Sequence, residues 1–355
     1  MKKAGRIIIG ATVGVLILSI VYTFGGYYAQ KIVMSNVFDT RRISAFPKRL
    51  FLQRKDYPAL ADREEVSFPS GEETLKGSIY RSPLDKGLVL FAHGIGGNRD
   101  DQTAILQDYI LGKGYDVFCF DLTSSGESSG AGIHGLHQSA YDIKAALEYL
   151  SSREDMDLSR LAFMGYSWGA YGMAASLNFE LPAYPQAVVS FAGFADPEIE
   201  MLGMARNYIG GFADFSRWQL DWGLACRVGG DNARLSALEA MKKHSLTSYA
   251  LIQGDKDTTV PLEASTFEAA SKEGLSFTGH LRKGYGHGGL WLEEEAREFA
   301  EEMQAYYESL SGENKEERFR EYMDSRGGKA RASKLDLALM DSIESTIDSA
   351  LNGNI

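Results

Sequence analysis

The chain has 355 residues, 44% of them apolar and 24% charged, with a formal net charge of -11 at pH 7. That supports one large α/β domain or two small ones, and the proportions are not those of a disordered chain. The acidic balance excludes nucleic acid as the main partner, because phosphate binding needs a basic face.

In chain order, Lys2, Lys3 and Arg6 precede residues 7–24, a run without a charge. As a helix this run extends about 27 Å, close to the thickness of a bilayer core. It predicts a single-pass anchor over residues 1–29, with the positive end inside and the rest of the chain outside the cytoplasmic membrane. The alternative is a cleaved signal and a secreted chain. Tyr27 is misplaced for a small-x-small site ahead of Gln30, whereas a cut near Gly25 stays open. Residues 30–63, with the basic cluster DTRRISAFPKR, read as a stalk and lead-in.

Two alternating segments, EEVSFPSG and ETLKGSIYRS, predict a hairpin. GLVLFAHG is continuously apolar, as a strand buried on both faces must be. A helix-spaced segment ending on glycine follows, then the strand YDVFCFD, the helix QSAYDIKAALEYLSSR and the strand RLAFMGYS. Cys119 sits in the second of these strands as a core residue; Cys226 lies far away in different surroundings, so no disulfide is expected. QAVVSFAG, SYALIQGD and FTGHLRKG continue the alternation, which predicts a doubly wound, mostly parallel α/β sheet.

One stretch, about 197–243, interrupts it. Tyr208, Phe212, Phe215, Trp218 and Trp222 recur there at helical steps. They predict a helical cap whose aromatics pack on one another and are also candidates to line a substrate pocket. After residue 290 comes an amphipathic helix with Leu292, Ala296, Phe299, Met303, Tyr306 and Leu310 on one face. A helical extension over 311–355 follows. Its last helix is predicted to start at a capping box of Ser333 and Asp336, with Leu335, Leu339, Ile343, Ile347 and Leu351 packing on the core.

The chemistry gathers where strands end. GYSWG places Ser167 at a strand-to-helix turn. A serine hydroxyl needs a base within reach, and the base needs a carboxylate to hold its tautomer. GDKDTTVP offers Asp257, with Asp255 as its neighbour, and KGYGHGG offers His287. The glycines of HGIGG let the Ile95 N–H face a substrate oxygen, with the Trp168 N–H as second donor. The Lys-Ser/Thr ending of a phosphate loop is absent from GIGG. Asp196, after the sixth strand, is an alternative carboxylate. His134 and His137 have no apparent third metal ligand, and His244 and His280 read as surface or strand positions.

The order Ser167, Asp257, His287, with HGIGG, GYSWG, GDKDTTVP and GYGHGG, resembles the α/β-hydrolase superfamily over residues 64–310. The likeness is to bacterial esterases, monoacylglycerol-lipase-like enzymes and serine-aminopeptidase-like enzymes. It implies that His93 is structural, and that FDLTSSGESSG corresponds to the family's Asp-x-Arg-Gly-x-Gly-x-Ser segment, with Thr123 and Ser124 departing from it. The expected function is hydrolysis of an acyl ester through an acyl-enzyme, without metal or organic cofactor, on a small-molecule acyl substrate. Amide hydrolysis of the aminopeptidase kind is the alternative within enzymes, and a non-catalytic surface binding protein the alternative outside them.

Overall fold

The computed structural model of the chain describes residues 2–41, 44, 47–101 and 103–353. Among the described residues eight strands form one sheet: β1 (Glu64–Ser70), β2 (Glu73–Tyr80), β3 (Leu88–Ala92), β4 (Asp116–Phe120), β5 (Leu161–Tyr166), β6 (Ala187–Phe191), β7 (Ser248–Gly254) and β8 (Thr278–Arg282). Their spatial order is β1-β2-β4-β3-β5-β6-β7-β8. β2 runs antiparallel to β1 and β4, and every pair from β4 to β8 is parallel.

The helices, in chain order, begin with α1 (Lys2–Phe38), α2 (Ala104–Gly112), α3 (Gln138–Ser151) and α4 (Trp168–Ala175). Between β6 and β7 come α5 (Pro197–Ile209), α6 (Phe212–Phe215), α7 (Arg217–Val228), α8 (Gly230–Ala233) and α9 (Ala237–Lys243). The chain continues through α10 (Thr266–Lys272), α11 (Glu294–Ser309), α12 (Lys315–Ser325), α13 (Gly328–Ala332) and α14 (Leu337–Leu351).

The apolar run of β3 is explained by two cores. Leu88, Leu90 and Ala92 face one core with Ile143 and Leu147 of α3 and Tyr171 of α4. Val89 and Phe91 face the other, with Leu106 and Ile110 of α2 and Ile343 and Ile347 of α14. Side chains alternate along a strand, so a strand covered on both sides carries no polar face. This is the doubly wound architecture expected, with the cap helices inserted after β6.

Two boundaries differ from expectation. No break falls at residues 29 and 30, because α1 runs on to Phe38 and buries Met34 and Phe38 in the sheet core. The expected anchor lies partly on residues 7–12, whose side chains are outside the described residues. Among the described residues no helix is long and apolar enough to cross a membrane. At the other end, α14 starts at Leu337 with Asp336 as its N-cap, the Asp336 carboxylate accepting the Leu339 N–H at 3.0 Å. Ser333 instead accepts the Leu52 N–H at 2.9 Å, which ties the lead-in to the C-terminal segment. Cys119 is buried in β4, Cys226 is exposed, and both are free.

Candidate active site

Ser167 is held by a backbone that only close packing makes possible. It follows β5 and is the N-cap of α4, with φ 54° and ψ -118°, a left-handed conformation that costs about 1–3 kcal/mol in a non-glycine residue. Its N–H donates to the Phe191 carbonyl at 2.7 Å, fastening the turn to β6. Both flanking glycines are required sterically. A Cβ on Gly165 would lie 2.6 Å from the backbone of Ala170, and one on Gly169 would lie 2.3 Å from the Ala92 carbonyl oxygen. The helix therefore starts hard against the sheet, and the Ser167 side chain projects from a sharp corner.

His287, in the loop after β8, places Nε2 2.9 Å from Ser167 Oγ. Its Nδ1 lies 2.7 Å from Asp257 Oδ2. Asp257 is buried, and its other oxygen accepts the N–H groups of Thr259 and Val260, each at 2.9 Å. Gln253, at the end of β7, adds a weaker contact to Asp257 Oδ2 at 3.2 Å and donates to the Val260 carbonyl at 2.9 Å. Asp255 accepts the Gly284 N–H at 2.7 Å, bracing the loop that carries His287 from outside this chain of bonds. Asp196 caps the cap helix α5 and does not join it.

Trp168 is the first residue of α4, so its N–H is one that helix geometry leaves without an intrahelical acceptor. Ile95 follows Gly94 in a turn closed by the Gly97 N–H donating to the Gly94 carbonyl at 3.0 Å. His93 is buried beneath it. The Leu122 N–H donates to His93 Nε2 at 3.1 Å, and Nδ1 donates to the Gly94 carbonyl at 2.8 Å, which fixes one neutral tautomer. Burial holds its pKa below the usual value.

The departing FDLTSSGESSG segment is stabilised in its own way. Thr123 bonds the buried Asp142 through both its N–H, at 2.7 Å, and its hydroxyl, at 2.9 Å. Arg99, from the turn after β3, pairs with Asp121 and also reaches Glu127 and Glu65. The other histidines stay apart from Ser167. His134 approaches Glu73 at 3.5 Å, His244 stacks on Tyr184, and His280 contacts Ser342 at 3.1 Å. Burial pushes His137 down to about 4. Among the described residues no group of His, Cys, Asp and Glu could hold a metal ion.

The cap aromatics correct one expectation. Phe212, Phe215, Trp218 and Trp222 are about half exposed or more and stand against α1. Tyr22 lies 5.1 Å from Phe215 and 6.4 Å from Trp218, and Tyr27 lies 5.5 Å from Trp222, between ring centroids. The Tyr22 hydroxyl donates to the Phe215 carbonyl at 2.9 Å. Each helix has one face for the core, and the cap gives that face to Leu202, Ala205, Ala213 and Leu220. Its aromatics are left on the outer side. Tyr208 lies in α5, with its side chain outside the described residues.

What the cap does bring inward is Glu200. It is buried, with Oε2 unpartnered among the described residues. Burial first, then the charge of Asp257, pushes its carboxyl up to about 8. Sequence reasoning missed Glu200 and Gln253. Gln253 had a signal, an amide at the end of an apolar strand. Glu200 had none, since acidic residues on a helix usually face water.

A cavity of about 500 Å³ adjoins the site, and Phe212, Phe215, Trp218 and Trp222 do not line it. Its wall includes Ile95, Tyr166 and Gly288, chain neighbours of Gly94, Ser167 and His287, together with residues of the lead-in and of α11.

Comparison with known proteins gives the family and the fold. The quorum-quenching protein AidA of Acinetobacter baumannii is 27% identical over 137 residues, covering 37% of this chain and 44% of that protein. A putative phosphoribosyl transferase of Mycobacterium tuberculosis is 28% identical over 148 residues, covering 41% of this chain and 33% of that protein. The chain thus spans less than half the length of these relatives. The esterase Pf2001 of Pyrococcus furiosus superimposes with a TM-score of 0.53 at 17% identity, covering 78% of this chain and 98% of that one, a likeness of fold. A family model matches residues 131–314, more than half of the chain and the stretch holding Ser167, Asp257 and His287. The chain has the α/β-hydrolase fold and belongs to the prolyl oligopeptidase family.

Proposed function

We propose that Ser167, His287 and Asp257 form a catalytic triad that hydrolyses an acyl ester. The observation that carries this reading is the unbroken run of contacts from Ser167 Oγ through both ring nitrogens of His287 to a buried, otherwise satisfied Asp257. Neutral His287 accepts the Ser167 proton at Nε2 as Oγ attacks the acyl carbonyl. Its Nδ1–H donates to Asp257, which steadies the imidazolium that forms. The Ile95 and Trp168 N–H groups meet the oxyanion, and His287 then protonates the departing alcohol. Water activated by the same nitrogen releases the acid from the acyl-enzyme.

The apolar character of the adjoining cavity favours an ester with an apolar acyl group. The family favours a second reading, since a peptidase family is matched. A panel of p-nitrophenyl esters and aminoacyl p-nitroanilides separates the two, with esters expected to be turned over at least tenfold faster. Ser167→Ala should abolish fluorophosphonate labelling and leave only the contribution of binding and oxyanion donors, ~10³–10⁴ over water. Labelling that persists at another serine removes the assignment.

The uncharged run 7–24 supports a further part of the reading. It is continued on α1 by exposed side chains such as Tyr28 and Ile32. We infer from it that the chain is held at a membrane by α1, with the hydrolase domain outside the cytoplasm.

A further inference from the structure

We propose that the 500 Å³ cavity is the acyl-binding site, and that its length limit is set by the lead-in, α2 and α11 rather than by the cap. The proposal rests on the catalytic reading of Ser167 and His287. Position is the first argument: Ile95, Tyr166 and Gly288 bring the wall to within one residue of the proposed oxyanion turn, nucleophile and base.

Chemistry is the second. Leu50, Leu52, Ile105, Trp291 and Leu292 give the wall an apolar surface. Of the charged groups there, Asp101 pairs with Lys48 at 2.9 Å and Arg297 with Glu301 at 2.7 Å, while Glu308 accepts the Gln304 amide and stands exposed near the C-terminal end of α11. Recognition of a substrate amine would need a buried, unpaired carboxylate, so the wall suits an uncharged chain. The volume falls within the roughly 300–1,000 Å³ of small-molecule sites. Tyr57 adds an aromatic ring to the wall.

Leu50, Leu52, Tyr57 and Ile105 all precede the stretch matched by the family. Trp291, Leu292 and α11 lie within it, so the wall is built from both parts of the chain.

The test uses the full chain and p-nitrophenyl esters from acetyl to dodecanoyl. Each methylene buried should raise kcat/KM about fourfold until the cavity is filled. Ile105→Trp should lower the decanoyl-to-acetyl ratio of kcat/KM at least tenfold. Ala305→Trp, at an exposed position of α11 lining the same cavity, should lower it in the same direction and serves if Ile105→Trp fails to fold. Trp218→Ala, on the outer face of the cap, should leave the ratio unchanged. Ratios unmoved by both cavity variants, or moved by Trp218→Ala instead, overturn the proposal. Calorimetric binding of decanoate to the Ser167→Ala protein separates the two readings. Decanoate that binds, and binds at least tenfold more weakly when Ile105→Trp is added, sustains the cavity assignment even if no ester is turned over. Decanoate that does not bind at millimolar concentration removes it and leaves the triad untouched.

Discussion

Asp255 and Asp257 stand two residues apart and bond in opposite directions. Asp257 turns inward to His287 and the N–H groups of its own turn, whereas Asp255 braces the Gly284 backbone. Asp257→Asn should therefore lower kcat/KM by about 10³–10⁴ with little change in Tm, because the imidazole loses the partner that sets its tautomer. Asp255→Asn should cost about 1 kcal/mol of stability and little rate. Equal rate losses from the two would show that the wrong carboxylate was assigned. Glu200 makes a prediction of a different kind. Its folded pKa is raised to about 8 from an ordinary value of 4.5, so the folded state holds a proton that the unfolded state has released. Stability linked to Glu200 is thus fully present below about pH 4.5 and is lost as pH rises towards 8, a change of order a few kcal/mol. Glu200→Gln should melt increasingly above the parent protein from pH 5 to pH 8.5. A Tm difference that stays flat across that range would count against the buried, protonated acid. Ser167, Asp257 and His287 were legible in the sequence because each sits in a turn whose neighbours announce it. Glu200 was not, because its burial depends on where α5 docks.

At the scale of elements, α1 and the cap depart furthest from the sequence reading. Hydropathy marks residues 7–24 as one unit, yet the helix continues a further fourteen residues to Phe38 and ends inside the sheet core. Removal of residues 1–29 should leave Met34 and Phe38 in place and preserve a cooperative melt. Phe38→Ala should cost about 3–5 kcal/mol by opening a cavity where the ring is now fully buried. Urea denaturation of both proteins checks this, and a loss under 1 kcal/mol for Phe38→Ala would mean that the last turn of α1 is not part of the core. The cap illustrates the limit of periodicity. Helical spacing of Phe212, Phe215, Trp218 and Trp222 shows that they share a surface, but not which surface is buried. Leu202, Ala213 and Leu220 take the inner side, and the aromatics meet Tyr22 and Tyr27 instead.

Across the whole molecule, the two ends of the chain meet beside the site. The lead-in and α11 wall the cavity, Ser333 bonds Leu52, and α14 covers the sheet face opposite α3 and α4. The cap aromatics and the exposed side of α1 lie on one outer surface, and the proposed membrane attachment through α1 has a direct test. The full chain should sediment with membranes and resist carbonate extraction, whereas the chain lacking residues 1–29 should remain in the supernatant with its ester turnover intact. Full-length protein that is found free after lysis argues against membrane attachment.

Sequence alone determined the alternation of strands and helices, the turn that carries Ser167 and the positions of Asp257 and His287. These depend on neighbours within a few residues: side chains that alternate on a strand, glycines that admit a sharp corner, an acid that folds back on its own turn. Tertiary structure decided the rest. Which face of each cap helix is buried, where α1 ends, and which walls enclose the cavity beside Ser167 all follow from contacts between distant segments. Burial is a property of the assembled core, and no local period encodes the partner against which an apolar face will pack.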